Sequence, residues 1–116
     1  MKIEKFEDMI VWQKSKELCL ILYKLFNNNK DYRFKGQIQS ASVSIMNNIA
    51  EGFERKGNKE FRKFLYISKG SCAEVKSMLY LSLDLNYVSK NDFDITFSLS
   101  TEISKMLTSF IGKMLL

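Results

Sequence analysis

The stretch NNIAEGFERKGNKEF, residues 47–61, contains the joint between two helical patterns. Its first half, NNIAEG, is typical of a helix lined with small and polar side chains. RKGN at 55–58 then interrupts the pattern: Gly57 suits the left-handed C′ position that ends a helix, and Asn58 suits the N-cap of the next one. The stretch therefore predicts two helices joined by a tight, basic turn.

The whole sequence contains four segments with apolar residues at helical spacing. They predict helices over about residues 8–26, 32–54, 59–85 and 89–114, with Asp31 and Ser89 as N-caps of the second and fourth. In the fourth helix the predicted core side chains are Leu99, Ile103, Leu107, Phe110 and Met114. Amphipathic helices with short connections predict an all-α protein, an antiparallel up-down-up-down four-helix bundle forming one domain over residues 1–116.

Composition excludes several kinds of active site. The chain of 116 residues has a net charge of +5, 46% hydrophobic residues and no histidine. Catalytic triads that need histidine, His-ligated zinc and the Glu-x-x-His motif of di-iron bundles are therefore excluded. The two cysteines do not make a Cys₄ zinc site, and no phosphate-binding glycine motif is present. We expect no enzyme activity, no metal and no cofactor.

The start of the sequence, MKIEKFEDM, is charged and lacks the apolar segment of a secretory signal peptide. No apolar run approaches the roughly 18 residues that a membrane span needs. Cys19 and Cys72 lie within apolar helical patterns, which favours buried structural thiols over a disulfide or a reactive site. These features predict a cytoplasmic protein that does not enter a membrane.

Two carboxylates in the opening stretch, Glu51 and Glu54, share one side of the predicted helix. A carboxylate pair can hold Mg²⁺, but Glu54 adjoins Arg55 and Lys56, so local ion pairing is the simpler interpretation. Asn48 flanks the apolar stripe, where a buried amide needs hydrogen-bond partners. We therefore predict structural hydrogen bonds by Asn48 and by Glu51, the latter from a neighbouring helix or subunit.

A basic cluster follows the joint. Six of the chain's 18 Lys and Arg residues fall within fifteen positions: Arg55, Lys56, Lys59, Arg62, Lys63 and Lys69. Arg62, Lys69 and Lys76 recur at intervals of seven residues, which predicts a ridge along one side of the third helix. Cations at this spacing can neutralise phosphates, so the cluster and Lys76 form the candidate nucleic-acid site.

Tyr66 and Tyr80 lie near this ridge in the predicted helix, and tyrosines can stack on unpaired bases. We include both in the candidate nucleic-acid site. The alternative is a solvated face, interrupted by Glu60 and Glu74, whose tyrosines pack on neighbouring side chains.

Two of the predicted helices carry a second apolar strip. At about 100° per residue, Met9 and Leu20 lie almost opposite the core stripe of the first helix. Val43 and Ala50 lie similarly far from the stripe of the second. Single exposed apolar residues are ordinary, but a second strip on two helices favours a subunit interface that contains these four residues.

Two blocks of the sequence resemble a known bacterial family. They are FEDMIVWQKSKEL at 6–18 and SVSIMNNIAEGFERKGNKEFRKFLYISKGSCAEV at 42–75, and the resemblance extends over roughly residues 6–112. The family is the four-helix-bundle family encoded by intervening sequences of large-subunit rRNA genes, whose members are also called ribosomal proteins. The accessory variability protein of diversity-generating retroelements is similar to it.

The resemblance implies a homo-oligomeric bundle, typically a five-membered ring with a basic surface. From the retroelement relative, it implies binding to RNA or DNA and to a reverse transcriptase. This chain departs from the family pattern at Met46, where a proline is common, and at Gln39 and Ser40, where many members carry two arginines. The absence of these arginines lowers the positive charge expected of the second helix.

Residues and resemblance together predict a non-enzymatic, oligomeric bundle that binds RNA or DNA as an accessory of a ribonucleoprotein. The alternative is a protein-interaction module whose basic surface docks on an acidic protein partner. The cluster does not imply base-specific recognition, so we expect charge-driven binding that weakens steeply with salt.

Overall fold

The computed structural model describes residues 2–114, which form four long helices. After a 3₁₀ turn at Phe6–Asp8, these are α1 (Ile10–Leu25), α2 (Tyr32–Glu54), α3 (Asn58–Asp84) and α4 (Lys90–Lys113). Each helix packs against the next, and α1 also packs against α4, which closes a bundle of 44 × 21 × 20 Å. Short connections make sequential neighbours antiparallel. The described residues contain no strand, and the predicted all-α four-helix bundle is confirmed.

The predicted N-caps of α2 and α4 are also confirmed. The Asp31 carboxylate accepts a hydrogen bond of 3.2 Å from the Phe34 backbone N–H. The Ser89 hydroxyl accepts one of 3.0 Å from the Asp92 backbone N–H. Each bond satisfies a donor that the first turn of a helix leaves free, so both helices begin where their capping residues predict.

The turn between α2 and α3 differs from its prediction at both capping positions. The C-cap of α2 is Arg55, so Gly57 lies one position beyond the predicted C′. Gly57 has a φ of +88°, a conformation that glycine adopts without steric cost. It is, however, the N-cap of α3, and Asn58 is already the first residue of that helix, so the predicted N-cap at Asn58 is wrong. The reason is that the positive φ of Gly57 completes the change of chain direction one residue earlier.

Helices α2 and α3 approach closely at Gly52. A Cβ atom at this position would lie 2.6 Å from Phe64 Cβ and 3.0 Å from Phe61 Cδ1. Beside it, the rings of Phe53 and Phe61 pack edge to face, with centroids 5.8 Å apart. The glycine of NNIAEG therefore allows two helix backbones to meet.

The hydrophobic core also contains hydroxyl groups. Among the described residues six are fully buried: Ser15, Ser42, Ser68, Ser82, Thr96 and Ser100. Most of them donate to a carbonyl of their own helix, whereas Ser68 Oγ donates to the Ile45 carbonyl of α2 at 2.8 Å. Because each buried hydroxyl has a partner, the core tolerates them without a large desolvation penalty.

Both cysteines are core residues. Cys19 and Cys72 are buried and free, as predicted for structural thiols. The Cys72 thiol donates to the Ser100 carbonyl at 3.2 Å, and burial raises its pKa to about 11. Cys72 therefore stays protonated near neutral pH, and a protonated thiol is a poor nucleophile.

One prediction about the core is corrected by the structure, and another is extended. Met9 is 1% exposed and belongs to the central cluster, so its placement opposite the core stripe is wrong and it is not accessible to a partner chain. The cause is that α1 begins at Ile10, and the extended backbone of Met9 does not follow the helical rotation. In α4 the predicted Ile103, Leu107 and Met114 are buried, and Leu99 and Phe110 are partly buried against the core. The buried face of α4 also includes Phe93 and Thr96, which were not predicted.

Candidate nucleic-acid interface

The basic surface consists of Arg55, Lys56, Lys59, Arg62, Lys63, Lys69 and Lys76, and it extends from the α2–α3 turn along α3. Arg55 is the C-cap of α2 and donates to the Glu51 carboxylate at 2.8 Å. Its guanidinium carbon also lies 5.0 Å from the ring centroid of Phe64. Glu51, for which we predicted a donor from a neighbouring helix or subunit, is thus bound by the end of its own helix.

The other cations of the basic surface have no carboxylate partner within residues 2–114. Residues 2–114 contain three ion pairs, which are Lys14–Glu102, Arg55–Glu51 and Lys90–Asp94. Lys56, Lys59 and Lys63 are exposed around the turn and take part in none of them. No close carboxylate in the described part of the chain neutralises their charge, which remains available to an anionic partner.

Arg62, Lys69 and Lys76 form a half-buried ridge on the side of α3 that faces α4. The Lys76 Nζ lies 4.9 Å from the ring centroid of Phe97 in α4. Because positions seven apart share one side of a helix, Lys69 and Arg62 have the same orientation. The Arg62 Nε is buried and has no hydrogen-bond partner among the described residues. The ridge is therefore built into the α3–α4 contact, with the aliphatic stems packed against the bundle.

The two carboxylates that were expected to interrupt this face lie elsewhere. Glu74 accepts a hydrogen bond of 3.3 Å from Gln37, which belongs to α2. Each of Glu60 and Glu74 precedes a ridge residue by two positions, about 200° of helical rotation. Both carboxylates therefore lie on the α2 side of α3, and the ridge on the α4 side is entirely basic.

The sequence left open whether the two tyrosines are exposed for base stacking or packed on neighbouring side chains, and both descriptions apply. Tyr66 is 49% exposed, and the Arg62 guanidinium lies 5.4 Å from its ring centroid. Tyr80 packs against Phe93 and Phe97, with ring centroids 5.5 and 4.9 Å away, yet it remains 57% exposed. The phenylalanine neighbours were not predicted, although their spacing of four residues in α4 is a usable signal. The Tyr66 ring thus contacts a guanidinium and the Tyr80 ring contacts two phenylalanines, and about half of each tyrosine remains exposed to solvent.

Asn48 makes its hydrogen bonds within the bundle. Its amide donates to the Ser44 carbonyl at 2.8 Å and to the Ser44 hydroxyl at 3.0 Å. Ser44 also shares a hydrogen bond of 2.8 Å with Ser71 of α3. Sequence reasoning missed both serines, of which only Ser44, one turn before Asn48, has a local signal. Asn48 therefore belongs to a polar link between α2 and α3.

The remaining residues predicted at a subunit interface lie on the outside of the chain. Leu20 is 63% exposed on α1. Val43 and Ala50 are half-buried on α2. Residues 36–50 of α2 contain no charged side chain. The outer side of this helix is therefore neutral over about four turns.

The positions at which the chain departs from the family pattern belong to this neutral stretch. Helix α2 runs without a break from Tyr32 to Glu54, and the half-buried Met46 lies in its middle. Gln39 is half-buried and Ser40 is exposed. The basic surface is therefore confined to the α2–α3 turn and α3, without a contribution from the middle of α2.

Other kinds of site are not seen in residues 2–114. No three Cys, Asp or Glu side chains in this range lie close enough to share a metal ion. A shallow depression outside α4 is lined by Ser98, Thr101, Glu102, Lys105 and Met106 and is open to solvent. No helix in the described range has the length and apolar character of a membrane span.

Comparisons with known proteins agree with the observed fold. A model of the 23S rRNA-intervening sequence protein family matches residues 7–109. A solved crystal structure, of a protein with unknown function from the S23 ribosomal protein family of Bacteroides thetaiotaomicron, is similar, with a TM-score of 0.83 and 28% identity. The match covers 88% of this chain and 98% of that one. The comparison with curated proteins returns no match. This chain therefore belongs to the 23S rRNA-intervening sequence protein family.

Proposed function

We propose that this protein is a non-enzymatic, cytoplasmic accessory of a ribonucleoprotein that binds RNA or DNA through its basic surface, together with Tyr66 and Tyr80. The observation that supports this most is the ridge on α3, whose cations form no ion pair with any described residue and whose neighbouring carboxylates lie on the opposite side of the helix. Phosphates that bind such cations release counterions, a favourable term that needs no base-specific contact. The two buried, free thiols agree with a reducing compartment.

The proposal includes a homo-oligomer, with five copies in a ring as the resemblance implies. Each copy contributes one basic surface, so several weak phosphate contacts act together. The neutral outer side of α2 supports a contact between copies, because charged residues are depleted from the centres of protein interfaces.

Filter binding of a labelled RNA over a series of salt concentrations tests the interface. Affinity should fall as salt rises, with a log–log slope of about −0.7 to −0.9 for each neutralised phosphate. The double variant Lys63→Glu/Lys69→Glu should bind more weakly and show a flatter slope. Lys16→Glu/Lys24→Glu, on exposed positions of α1, changes the net charge equally and should weaken binding much less. Undetectable binding at low salt, or equal losses in both double variants, contradicts the proposal.

A protein partner with an acidic patch, such as a reverse transcriptase, is the second candidate. Ile67 of α3 is 45% exposed one helical turn after Lys63, and an apolar side chain next to a cation also suits a protein contact. A pull-down from lysate with and without nuclease distinguishes the two candidates. A partner retained after nuclease treatment supports the protein candidate, whereas its loss supports nucleic acid.

A further inference from the structure

Helices α3 and α4 pack together, and we call the line along which they meet on the outside of the bundle the groove. The Lys76 Nζ and the ring centroid of Tyr80 each lie 4.9 Å from the ring centroid of Phe97, and these contacts set the register of α3 against α4. Because the two helices are antiparallel, the position seven before Lys76 in α3 lies level with the position seven after Phe97 in α4. Lys69 therefore lies level with Ser104, and the ridge forms one wall of the groove.

The opposite wall, contributed by α4, carries hydroxyl groups. Thr101, Ser104 and Thr108 follow Phe97 at intervals of four, three and four residues, which keeps them on the same side of the helix. Thr101 and Ser104 are half-buried and Thr108 is exposed. The Thr108 hydroxyl donates to the Ser104 carbonyl at 3.0 Å, which leaves the hydroxyls of Thr101 and Ser104 to donate hydrogen bonds to phosphate and sugar oxygens. Cations on one wall and hydroxyls on the other suit a sugar–phosphate backbone.

No carboxylate of the described residues faces the groove between Arg62 and Lys76. Residues 97–111 of α4 contain one carboxylate, Glu102. It is paired with Lys14 of α1 at 3.3 Å and is therefore directed to the opposite neighbour of α4. By the same register Asp94 lies level with Leu79, next to Tyr80, and there it is paired with Lys90. An anionic strand in the groove thus meets no uncompensated negative charge.

The length of the ridge together with Tyr80 corresponds to a short single strand of nucleic acid. The ridge is about 21 Å long from Arg62 to Lys76, and Tyr80 lies about 6 Å beyond it. A stacked strand rises about 3.4 Å per nucleotide, so about eight nucleotides fill this length. A duplex keeps its base faces stacked inside, where the tyrosine rings cannot reach them.

We infer that the groove binds single-stranded nucleic acid, with phosphates on the ridge and an unpaired base stacked on the exposed face of Tyr80. Tyr66 offers a second ring near the other end of the ridge. The inference rests on the proposed function and adds to it the strand state of the ligand. The Tyr80 ring packs against Phe93 and Phe97, which restricts its side-chain rotation. A base can therefore stack on its exposed face at a small cost in side-chain entropy.

The experiment compares three probes of equal length: an unstructured oligouridine, the matching oligodeoxythymidine, and an RNA duplex. Fluorescence anisotropy at one fixed salt concentration should show the single strands bound at least about tenfold more tightly than the duplex, since stacking on exposed rings is open only to them. Whichever of the RNA and DNA single strands binds with the higher affinity is the one that the groove prefers, and either result supports the inference.

Variants of Tyr80 separate stacking from charge. Tyr80→Leu should weaken single-strand binding about 5- to 150-fold and leave duplex binding and the salt slope unchanged, because the ring neutralises no phosphate. Tyr80→Phe keeps the ring and should bind like the wild type. Tyr23→Leu is the matched control: Tyr23 is 44% exposed on α1, away from the groove. A thermal melt of each variant verifies folding, and Tyr66→Leu replaces Tyr80→Leu if the latter does not fold.

The outcomes distinguish the inference from the proposed function. Equal affinity for single strand and duplex, with no effect of the tyrosine variants, overturns the inference and leaves the basic surface in place. No binding of any probe at low salt overturns both. If Tyr23→Leu loses as much single-strand affinity as Tyr80→Leu, the inference is also overturned, because the effect then does not arise from the groove.

Discussion

The backbones of α2 and α3 meet at Gly52, and this contact leaves no room for a side chain at that position. Gly52→Ala should lower the free energy of unfolding by about 1–3 kcal/mol, because overpacking forces neighbouring groups to move. The group that must move is Phe64, whose Cβ lies 2.6 Å from the position of the added Cβ. Denaturant unfolding measures the difference.

Gly70→Ala is the matched control for this substitution. A Cβ atom at Gly70, also inside a helix, would meet nothing within 4 Å. Alanine there should raise the free energy of unfolding by up to about 1 kcal/mol, through its higher helix propensity. If Gly52→Ala is as stable as the wild type, the close contact between α2 and α3 is not the reason for this glycine.

Residues with a local role were the most predictable. Asp31 and Ser89 cap helices because a short polar side chain next to a free backbone N–H needs no distant partner. Met9 was misplaced because one position decides whether a side chain follows helical rotation, and helix boundaries are the least regular part of the pattern. Sequence periodicity therefore predicts residues inside an element better than residues at its ends.

At the scale of elements, Asp31 connects two turns at one end of the bundle. One carboxylate oxygen caps α2, and the other accepts a hydrogen bond of 2.6 Å from the Tyr87 hydroxyl, in the α3–α4 connection. The bond from Tyr87, and then that from the Phe34 N–H, lower the pKa of the Asp31 carboxyl. The same bond raises the pKa of Tyr87. The ionised carboxylate thus stabilises the contact between the two turns.

Acid should weaken this connection. Because the pKa of Asp31 is lower in the folded than in the unfolded chain, its stabilisation is complete above the unfolded value of about 3.9. It is lost as the pH falls through the lowered folded value. Asp31→Asn keeps a capping oxygen but removes the charge, so its Tm should be lower than that of the wild type at neutral pH. The two Tm values should converge in acid.

Thermal unfolding followed by circular dichroism over a pH series measures this convergence. Glu17→Gln, an exposed position of α1 that takes part in no ion pair of the described residues, is the control and should differ little from the wild type at any pH. A difference in Tm between Asp31→Asn and the wild type that persists unchanged into acid contradicts a role for the charge.

The ridge on α3 shows how far an element can be predicted. The spacing of Arg62, Lys69 and Lys76 places them on one side of a helix whatever surrounds it. Which neighbour that side faces depends on the rotation of α3 within the bundle, which the packing of all four helices sets. The orientation of Glu74 toward Gln37 and of Lys76 toward Phe97 follows from that rotation.

At the scale of the whole molecule, the proposed assembly predicts a mass above that of one chain. Leu20→Glu and Val43→Glu should each shift the protein toward smaller species, because a buried, unpaired charge is costly at an interface. Light scattering at micromolar concentration measures the mass. Ser98→Glu, on the exposed side of α4, is the control and should leave it unchanged. A wild-type protein that is strictly monomeric contradicts the assembly and removes the multivalent contribution to phosphate binding.

The amino-acid sequence by itself determined the four helices, two of their caps, the buried thiols and the family, because each depends on periodicity or on contacts within a few residues. Only the tertiary structure decided that Met9 is in the core, that Tyr80 is backed by Phe93 and Phe97, and that Asp31 meets Tyr87. These contacts join residues far apart in the chain. Their geometry depends on how each helix is rotated and shifted against its neighbours, which the pattern of a single helix does not contain.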